Sequence, residues 1–204
     1  MRVLPEGGRL SRCSRSEPRR TTRRIACKQA PAFRALAGAV LLLVANVAHA
    51  EGVIDFEQAE VGKRTTEWVE QGVVIKLAHA PTQTKAPGRV VFFEHHGTGR
   101  RGVLSAMAME PIPVEMSFPR AVSAVTLALW GSTGCAARVE ALDAAGNVVD
   151  HAEVEPVPRR KAPGEPVPVF ELTVRGKEIA RVRFSGPRAG EYLAADAVRF
   201  TFAE

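Results

Sequence analysis

The sequence predicts an all-β fold, an antiparallel β-sandwich, for residues 51–204, and three observations indicate it. Short runs of β-branched and aromatic residues recur at regular intervals between Gly, Pro, Asn and Asp. Within several runs apolar residues alternate with polar ones, which is typical of a strand with one buried face. Helix is hard to find, because the best candidate segment, 57–70, contains Gly62, Thr65 and Thr66. We expect 57–70 to be a loop with at most a turn.

Eleven runs in this region have the composition of strands. In chain order they cover residues 52–56, 72–79, 89–95, 103–109, 113–118, 121–130, 136–142, 147–154, 169–174, 178–184 and 192–202. The alternation is explicit in the run that contains Val125, Leu127 and Leu129, which share one face of their strand. Regular runs of this kind favour a sandwich or a barrel over an α/β fold.

Two connections have a recognisable turn chemistry. Residues 143–147, with the sequence Asp-Ala-Ala-Gly-Asn, are predicted to close a hairpin because Gly and Asn tolerate positive φ. Residues 156–168 contain five prolines, which lack the backbone donor of a central strand, and are predicted to form a long exposed loop. Its three basic residues, at 159–161, are either solvated or available to an acidic polymer.

Residues 1–50 are predicted to be an N-terminal signal peptide. Ten of the 28 Lys and Arg residues lie there, followed by the apolar run 35–48 and the small-x-small site at 48–50. The run is shorter than the ~20 residues that span a bilayer as a helix, so no membrane span is expected in the mature chain, 51–204. The basic charge leaves with the leader, which argues against nucleic-acid binding. The mature domain is expected to be exported to the periplasm, the cell surface or the extracellular space.

The stretch Gly97–Gly102 has the spelling G-x-G-x-x-G. A dinucleotide site needs a crossover helix of about ten residues that opens at the last glycine. Only seven residues, 103–109, separate Gly102 from the prolines that follow, Pro111 and Pro113. The stretch is therefore predicted to be a turn between two antiparallel strands, and no nucleotide cofactor is expected.

Two histidines, His95 and His96, stand directly before this turn. Glu94 and His96 would share one face of a strand, so only these two could converge on one ion from this segment. A zinc site needs three or four protein ligands. The other histidines after residue 50 are His79 and His151, and the sequence does not fix their distances from Glu94 and His96. Polar residues at a strand end are favoured over a transition-metal site.

Trp68 is the candidate ligand-binding residue. It lies in the polar stretch 63–68, unlike the phenylalanines of the alternating runs, which are expected in the core. Sugar rings stack on aromatic side chains through their apolar faces, so an exposed Trp68 could serve as a platform. The alternative is that Trp68 covers the end of the sandwich.

Several short motifs together resemble the jelly-roll, galactose-binding-like domains of exported bacterial proteins. They are the opening Ile54-Asp55-Phe56-Glu57, the strand 72–75, the segment 118–125, the hairpin 141–147 and the closing segment 195–200. The resemblance covers nearly all of 52–202 and implies the fold more strongly than an activity. Its members include carbohydrate-binding modules.

The resemblance also implies a structural calcium ion. In several relatives an acid near the first strand and an aspartate in the last strand hold calcium with backbone carbonyls, and the matching residues here are Glu57 and Asp196. The sequence departs from that pattern at Ala195, where an acid often precedes the aspartate. The alternative is that Asp196 accepts backbone hydrogen bonds at a strand end.

The leading functional hypothesis is an exported, non-enzymatic binding module for a glycan or a cell-surface partner. A polysaccharide hydrolase or lyase that uses a carboxylate pair is the second hypothesis, because the many acids of the chain do not reveal which two would meet. No G-x-S-x-G, H-E-x-x-H or P-loop motif is present. A structural envelope protein without a small ligand is the third hypothesis.

Overall fold

A computed structural model describes residues 51–95, 98–107, 110–131, 136–186 and 192–204. Within these ranges the chain forms strands and no helix. The strands are β1 (Glu51–Ile54), β2 (Arg64–Thr65), β3 (Trp68–Glu70), β4 (Val73–Leu77), β5 (Val90–Glu94), β6 (Arg101–Ser105), β7 (Val114–Gly131), β8 (Ala137–Leu142), β9 (Val148–Val154), β10 (Phe170–Ser185) and β11 (Leu193–Phe202). Every pairing between them is antiparallel. The predicted all-β, antiparallel class is confirmed.

The strands are all linked by hydrogen bonds into one sheet, which divides into two half-sheets. The long strands β7 and β10 run through both half-sheets. Half-sheet A has the order β3-β4-β7-β10-β8-β9 and uses residues 114–117 of β7 and 181–184 of β10. Half-sheet B has the order β2-β5-β6-β11-β7-β10 and uses the later part of β7, 122–131, and the earlier part of β10, 170–175. Strand β1 pairs with β11 in half-sheet B.

Both long strands differ from the sequence prediction, which divided each of them in two. The structure joins 113–118 with 121–130 in β7, and 169–174 with 178–184 in β10. Pro119 lies where β7 changes partners, between the end of its pairing with β4 at Ser117 and the start of its pairing with β11 at Val122. A proline is tolerated there because no ladder hydrogen bond depends on its nitrogen.

One apolar core lies between the two halves. Its buried side chains include Ile75, Met116, Val139, Val182 and Phe184 from half-sheet A, and Phe92, Val103, Leu127, Leu129 and Phe200 from half-sheet B. The Trp68 ring of half-sheet A meets the Phe92 ring of half-sheet B edge-on, with 5.0 Å between the ring centroids. The halves therefore pack face to face across shared side chains, an arrangement consistent with the predicted β-sandwich.

The expectation of a loop over 57–70 was wrong in part, because β2 and β3 lie in this segment. Strand β3 pairs with β4 through the two-residue turn Gln71-Gly72, whose φ angles are both positive, 50° and 78°. Two consecutive positive φ values give the tight turn whose twist matches an antiparallel pair. A strand of three residues is stable here because β4 and the core support it, and not because of local propensity.

The hairpin prediction for 143–147 is confirmed. The Asp143 amide donates to the Asn147 carbonyl at 3.0 Å, and Gly146 takes a φ of 93°. The predicted loop over 156–168 also joins two strands without a strand of its own. Most of this loop is exposed, but Val157 and Val167 are buried, so part of it packs onto the domain.

Residues 1–50 lie outside the described residues, so the signal peptide stays a prediction. Within the described ranges, the chain contains no helix with the length and apolar character needed to cross a membrane.

Truncation of Leu127 tests the shared core. Leu127 on β7 is fully buried, so Leu127→Ala is expected to lower the free energy of unfolding by about 2–5 kcal/mol through lost burial and the cavity left behind. The control is Val148→Ala on β9, a half-exposed position where a change within about 0.5 kcal/mol is expected. Urea unfolding measures both, and equal losses would contradict the core described here.

Candidate functional site

The candidate site is a cleft of about 430 Å³ on the outer face of half-sheet B, the face turned away from the core. We call it the aromatic cleft. Its lining residues are Phe93, Leu104, Trp130, Gly131, Arg160, Val167, Tyr192 and Ala194. Four neighbouring strands, β5, β6, β11 and β7, supply the floor, and the loop between β9 and β10 supplies Arg160 and Val167.

Strand alternation places these side chains on the outer face. Phe92 on β5 and Leu129 on β7 are core residues, so the residues that follow them, Phe93 and Trp130, point the other way. On β6 the core residue Val103 is followed in the same manner by a lining residue, Leu104. The floor is therefore the reverse side of the same strands that build the core.

Two of the aromatic side chains are open to solvent. Phe93 is 46% exposed and Tyr192 is 49% exposed, whereas Trp130 is half-buried. A Cβ atom added to Gly102 would lie 3.1 Å from the Trp130 Nε1 atom, so the glycine lets the indole lie close against β6. The cleft thus presents a fixed indole with more accessible rings beside it.

His95 ties the loop between β9 and β10 to the cleft. Its Nε2 atom lies 2.7 Å from the Val167 carbonyl oxygen and donates to it in the tautomer that carries a proton there. The His95 ring centroid is 5.0 Å from that of Trp130. His95 is buried, so it positions the loop and the indole and does not face the ligand space.

Residues 98–102 of the G-x-G-x-x-G stretch lie in the connection from β5 to β6 and at the start of β6, in agreement with the predicted turn between antiparallel strands. Phe93 pairs with Gly102 and Glu94 pairs with Arg101, which makes the two strands an antiparallel hairpin. The Glu94 carboxylate accepts a hydrogen bond from the Gly99 amide at 3.1 Å and closes the turn. His96 and Gly97 lie outside the described residues, and so does the predicted pairing of Glu94 with His96 on one face.

The two arginines of this turn reach the residues that the resemblance assigned to calcium. Arg101 donates from Nη1 to the backbone carbonyls of Glu57 and of Ala59, the latter at 2.7 Å. Arg100 places Nη2 at 2.6 Å from the Asp196 Oδ2 atom. This distance makes a close ion pair, in which the guanidinium donates to the carboxylate.

Asp196 is a buried carboxyl group at an irregular point of β11. Ala195 pairs with Leu129 and Ala197 with Ala128, so Asp196 is an extra residue that forms a β-bulge. Burial raises the pKa of Asp196 above its usual value, Arg100 and His95 oppose that rise, and the Glu57 carboxylate adds to it. The charges of Glu57 and Asp196 therefore act on each other, as expected of neighbouring groups.

The oxygen ligands available around Glu57 and Asp196 do not fit a calcium ion. Calcium takes about six to eight oxygen ligands, whereas here the carbonyls of Glu57 and Ala59 and the carboxylate of Asp196 already face guanidinium groups. Among the described residues, no group of three or more His, Cys, Asp or Glu side chains could hold a metal ion. Calcium at Glu57 and Asp196 stays an expectation of the resemblance alone.

Trp68, the residue predicted to contact a ligand, does not line the aromatic cleft. It is half-buried at the edge of the core, and its indole nitrogen donates to the Glu70 carboxylate at 3.0 Å. Together with its contact to Phe92, this places Trp68 as a cover over the core, the alternative raised from the sequence. A ligand contact at Trp68 stays a prediction.

The chain is similar to solved structures of several carbohydrate-binding modules and of a bacterial adhesin domain. A CBM61 module in complex with β-1,4-galactotriose is 17% identical, with a TM-score of 0.40 over 74% of this chain and 94% of that one. The xylan-binding module CBM86 of Roseburia intestinalis is 13% identical, with a TM-score of 0.37 over 74% of this chain and 94% of that one. The K1 adhesin domain of Lys-gingipain from Porphyromonas gingivalis is 14% identical, with a TM-score of 0.41 over 76% of this chain and 99% of that one.

No family model and no curated protein matches the chain. The identities and TM-scores of the solved structures are low, so their bound sugars carry no conclusion about this chain.

Removal of the Arg101 donors tests the guanidinium contact. Arg101→Met keeps the side-chain length but leaves the carbonyls of Glu57 and Ala59 without this donor, and is expected to cost about 1–3 kcal/mol of unfolding free energy. The control is Arg64→Met at an exposed position on β2, where little change is expected. Urea unfolding that gives the same loss for both variants would contradict the role of Arg101.

Calcium is expected to leave the stability of the unmodified chain unchanged. A resident calcium ion present at about 100 times its Kd would stabilise the folded state by about 2.7 kcal/mol and raise the Tm. Thermal unfolding in millimolar calcium and in chelator should therefore give the same Tm, because the guanidinium groups already face the oxygens. A clear rise in Tm with calcium would restore the expectation from the resemblance.

Proposed function

We propose that residues 51–204 form an exported, non-enzymatic module that binds a glycan through the aromatic cleft. The observation that carries the proposal is the presence of exposed aromatic rings on the outer face of half-sheet B, where a solvated strand face would carry polar residues. A jelly-roll sandwich and export by the leader belong to the same proposal, supported by the strand pairing and by the composition of residues 1–50.

The outer face of half-sheet A carries paired charges on the strands β7, β10 and β8. Glu115 on β7 accepts a hydrogen bond from Arg183 of β10 at 2.7 Å and lies 3.8 Å from Arg181. Arg138 of β8 pairs with Glu140 at 2.9 Å. These outward positions of half-sheet A are thus filled with paired charges, whereas the cleft end of half-sheet B has aromatic rings gathered around a depression. Aromatic side chains grouped in a concave surface support a binding site.

The shape and chemistry of the cleft suit a sugar ring. Its volume falls within the range of about 300–1,000 Å³ that is common for small-molecule sites. Phe93, Tyr192 and Trp130 offer ring faces to the apolar face of a sugar, and Arg160 supplies donors for its hydroxyl groups. Trp130 lies close against β6 and therefore loses little conformational entropy on binding, which favours recognition through stacking.

The cleft supports binding better than hydrolysis. None of the described residues that line it is Asp or Glu, so the cleft offers no carboxylate pair for the acid and base roles of a glycosidase. The second hypothesis from the sequence, a polysaccharide hydrolase or lyase, finds no support at this site.

Affinity electrophoresis against a panel of neutral and acidic polysaccharides tests the proposal. Retention of the chain by at least one polysaccharide is expected, and Phe93→Ala and Tyr192→Ala should each weaken the affinity about tenfold, or about 1.4 kcal/mol, because a stacking surface is lost. The matched control is Val149→Ala on β9, an equally exposed apolar residue outside the cleft.

Three results would change the conclusion. Absence of retention by every polysaccharide favours the structural envelope protein. Loss of retention with Trp68→Ala, but not with the cleft variants, would move the ligand to Trp68. Release of reducing ends from the panel would promote the hydrolase or lyase.

A further inference from the structure

A second depression lies on the same outer face of half-sheet B. It measures about 240 Å³, and its lining includes Glu51, Thr126, Thr173, Arg175, Arg199 and Thr201. We call it the basic trough. Strands β7 and β11 line both depressions, since the aromatic cleft contains Trp130 and Ala194 of the same two strands. A ligand that reaches from one depression to the other would therefore lie parallel to these two strands.

The two depressions are close enough for one extended ligand. Trp130 and Thr126 are four residues apart on β7, or about 13 Å at about 3.3 Å per residue. Between them Ala128 pairs with Ala197 of β11, so the path is floored by two methyl groups. No large side chain of these two strands rises between the cleft and the trough at this pair.

The charged residues that line the two depressions are mainly positive. Among the described residues that line the two depressions, Arg160, Arg175 and Arg199 are cationic and Glu51 is anionic. Arg199 pairs with Glu171 at 2.7 Å, but both side chains are about half exposed, and such pairs contribute only about 0–1 kcal/mol. An acidic group of a ligand can replace Glu171 at low cost, because guanidinium binds oxyanions with two parallel donors.

The trough also offers hydroxyl groups. The Oγ1 atoms of Thr126 and Thr173 lie 2.9 Å apart across β7 and β10, so one hydroxyl donates to the other. The receiving hydroxyl keeps its own proton, and both keep acceptor capacity. A sugar hydroxyl can therefore both donate and accept at this pair.

We propose that the ligand is an extended acidic polysaccharide that lies along β7 and β11, with one sugar ring in the aromatic cleft and carboxylate or sulfate groups at Arg175 and Arg199. This inference rests on the proposed glycan-binding function and specifies its substrate class. An extended chain is required because the aromatic rings of the cleft are too far from Arg175 and Arg199 for one sugar unit to contact both.

Isothermal titration calorimetry of the full chain tests the inference with matched oligosaccharides. Uronic-acid oligosaccharides from disaccharide to hexasaccharide are compared with their carboxyl-reduced forms, and sulfated oligosaccharides with their desulfated forms. The acidic member of at least one pair is expected to bind about tenfold more tightly, with affinity that rises with length and falls with added salt. If the uronic-acid pair shows the tenfold difference in affinity, the acidic group is a carboxylate. If the sulfated pair shows it, the acidic group is a sulfate.

Arg175→Gln separates this inference from the proposed function. It should remove most of the tenfold preference for the acidic form, because it weakens binding of the acidic form far more than binding of the neutral form, whereas Phe93→Ala should weaken both to the same extent. Arg64→Gln on β2 is the matched control and should change neither. Equal binding of acidic and neutral forms that still depends on Phe93 would refute the inference and keep the glycan-binding function.

Two other outcomes refute the inference for different reasons. Absence of binding to every oligosaccharide, neutral or acidic, refutes the glycan-binding function together with it. Binding of oligothymidylate as tight as that of the best acidic oligosaccharide would show a site for nucleic acid, because stacking rings and arginines serve that ligand as well.

Discussion

The two-residue period of the strands is the constraint on which the rest of this structure depends. In half-sheet B the inward residue of each strand belongs to the core and the next residue faces outward, so Phe92 packs against Trp68 while Phe93 opens into the aromatic cleft. A slip of one residue in the pairing of β5 with β6 would exchange these roles. The packing of the core thus fixes the lining of the aromatic cleft, because a change of register would move both together.

Much of the fold could be predicted because its signals are local. Alternation within runs and the glycine of the 143–147 hairpin identified strands and turns without tertiary information. The junctions inside β7 and β10 could not be found this way, since a strand that passes between two halves is continuous only through its partners. Strand β3 was missed for the same reason, although the Gln71-Gly72 pair before a hydrophobic run was a usable signal.

The candidate site depends on contacts between strands that the sequence alone does not encode. Trp68 was chosen because its neighbours in sequence are polar, yet burial is decided by neighbours in space, and Phe92 and Glu70 enclose it. The useful signal was the alternation of side chains along a strand. Because Leu127 and Leu129 point inward, Trp130 must point outward. The distance between Phe93, Trp130 and Tyr192 depends on the order of β5, β6, β11 and β7, which no local pattern encodes.

The bulge at Asp196 adds one residue to β11 without exchanging the two faces of the strand. Before it, Leu193 and Ala195 point into the core, and after it Val198 and Phe200 do, so the odd-numbered inward residues give way to even-numbered ones across the bulge. A homologue that lacked Asp196 alone would keep Leu193, Ala195, Val198 and Phe200 on the core side, because Ala195 and Ala197 would then follow each other in regular alternation. Alignments of such relatives should therefore place a one-residue gap at Asp196, where it leaves the assignment of inward and outward positions unchanged on both sides.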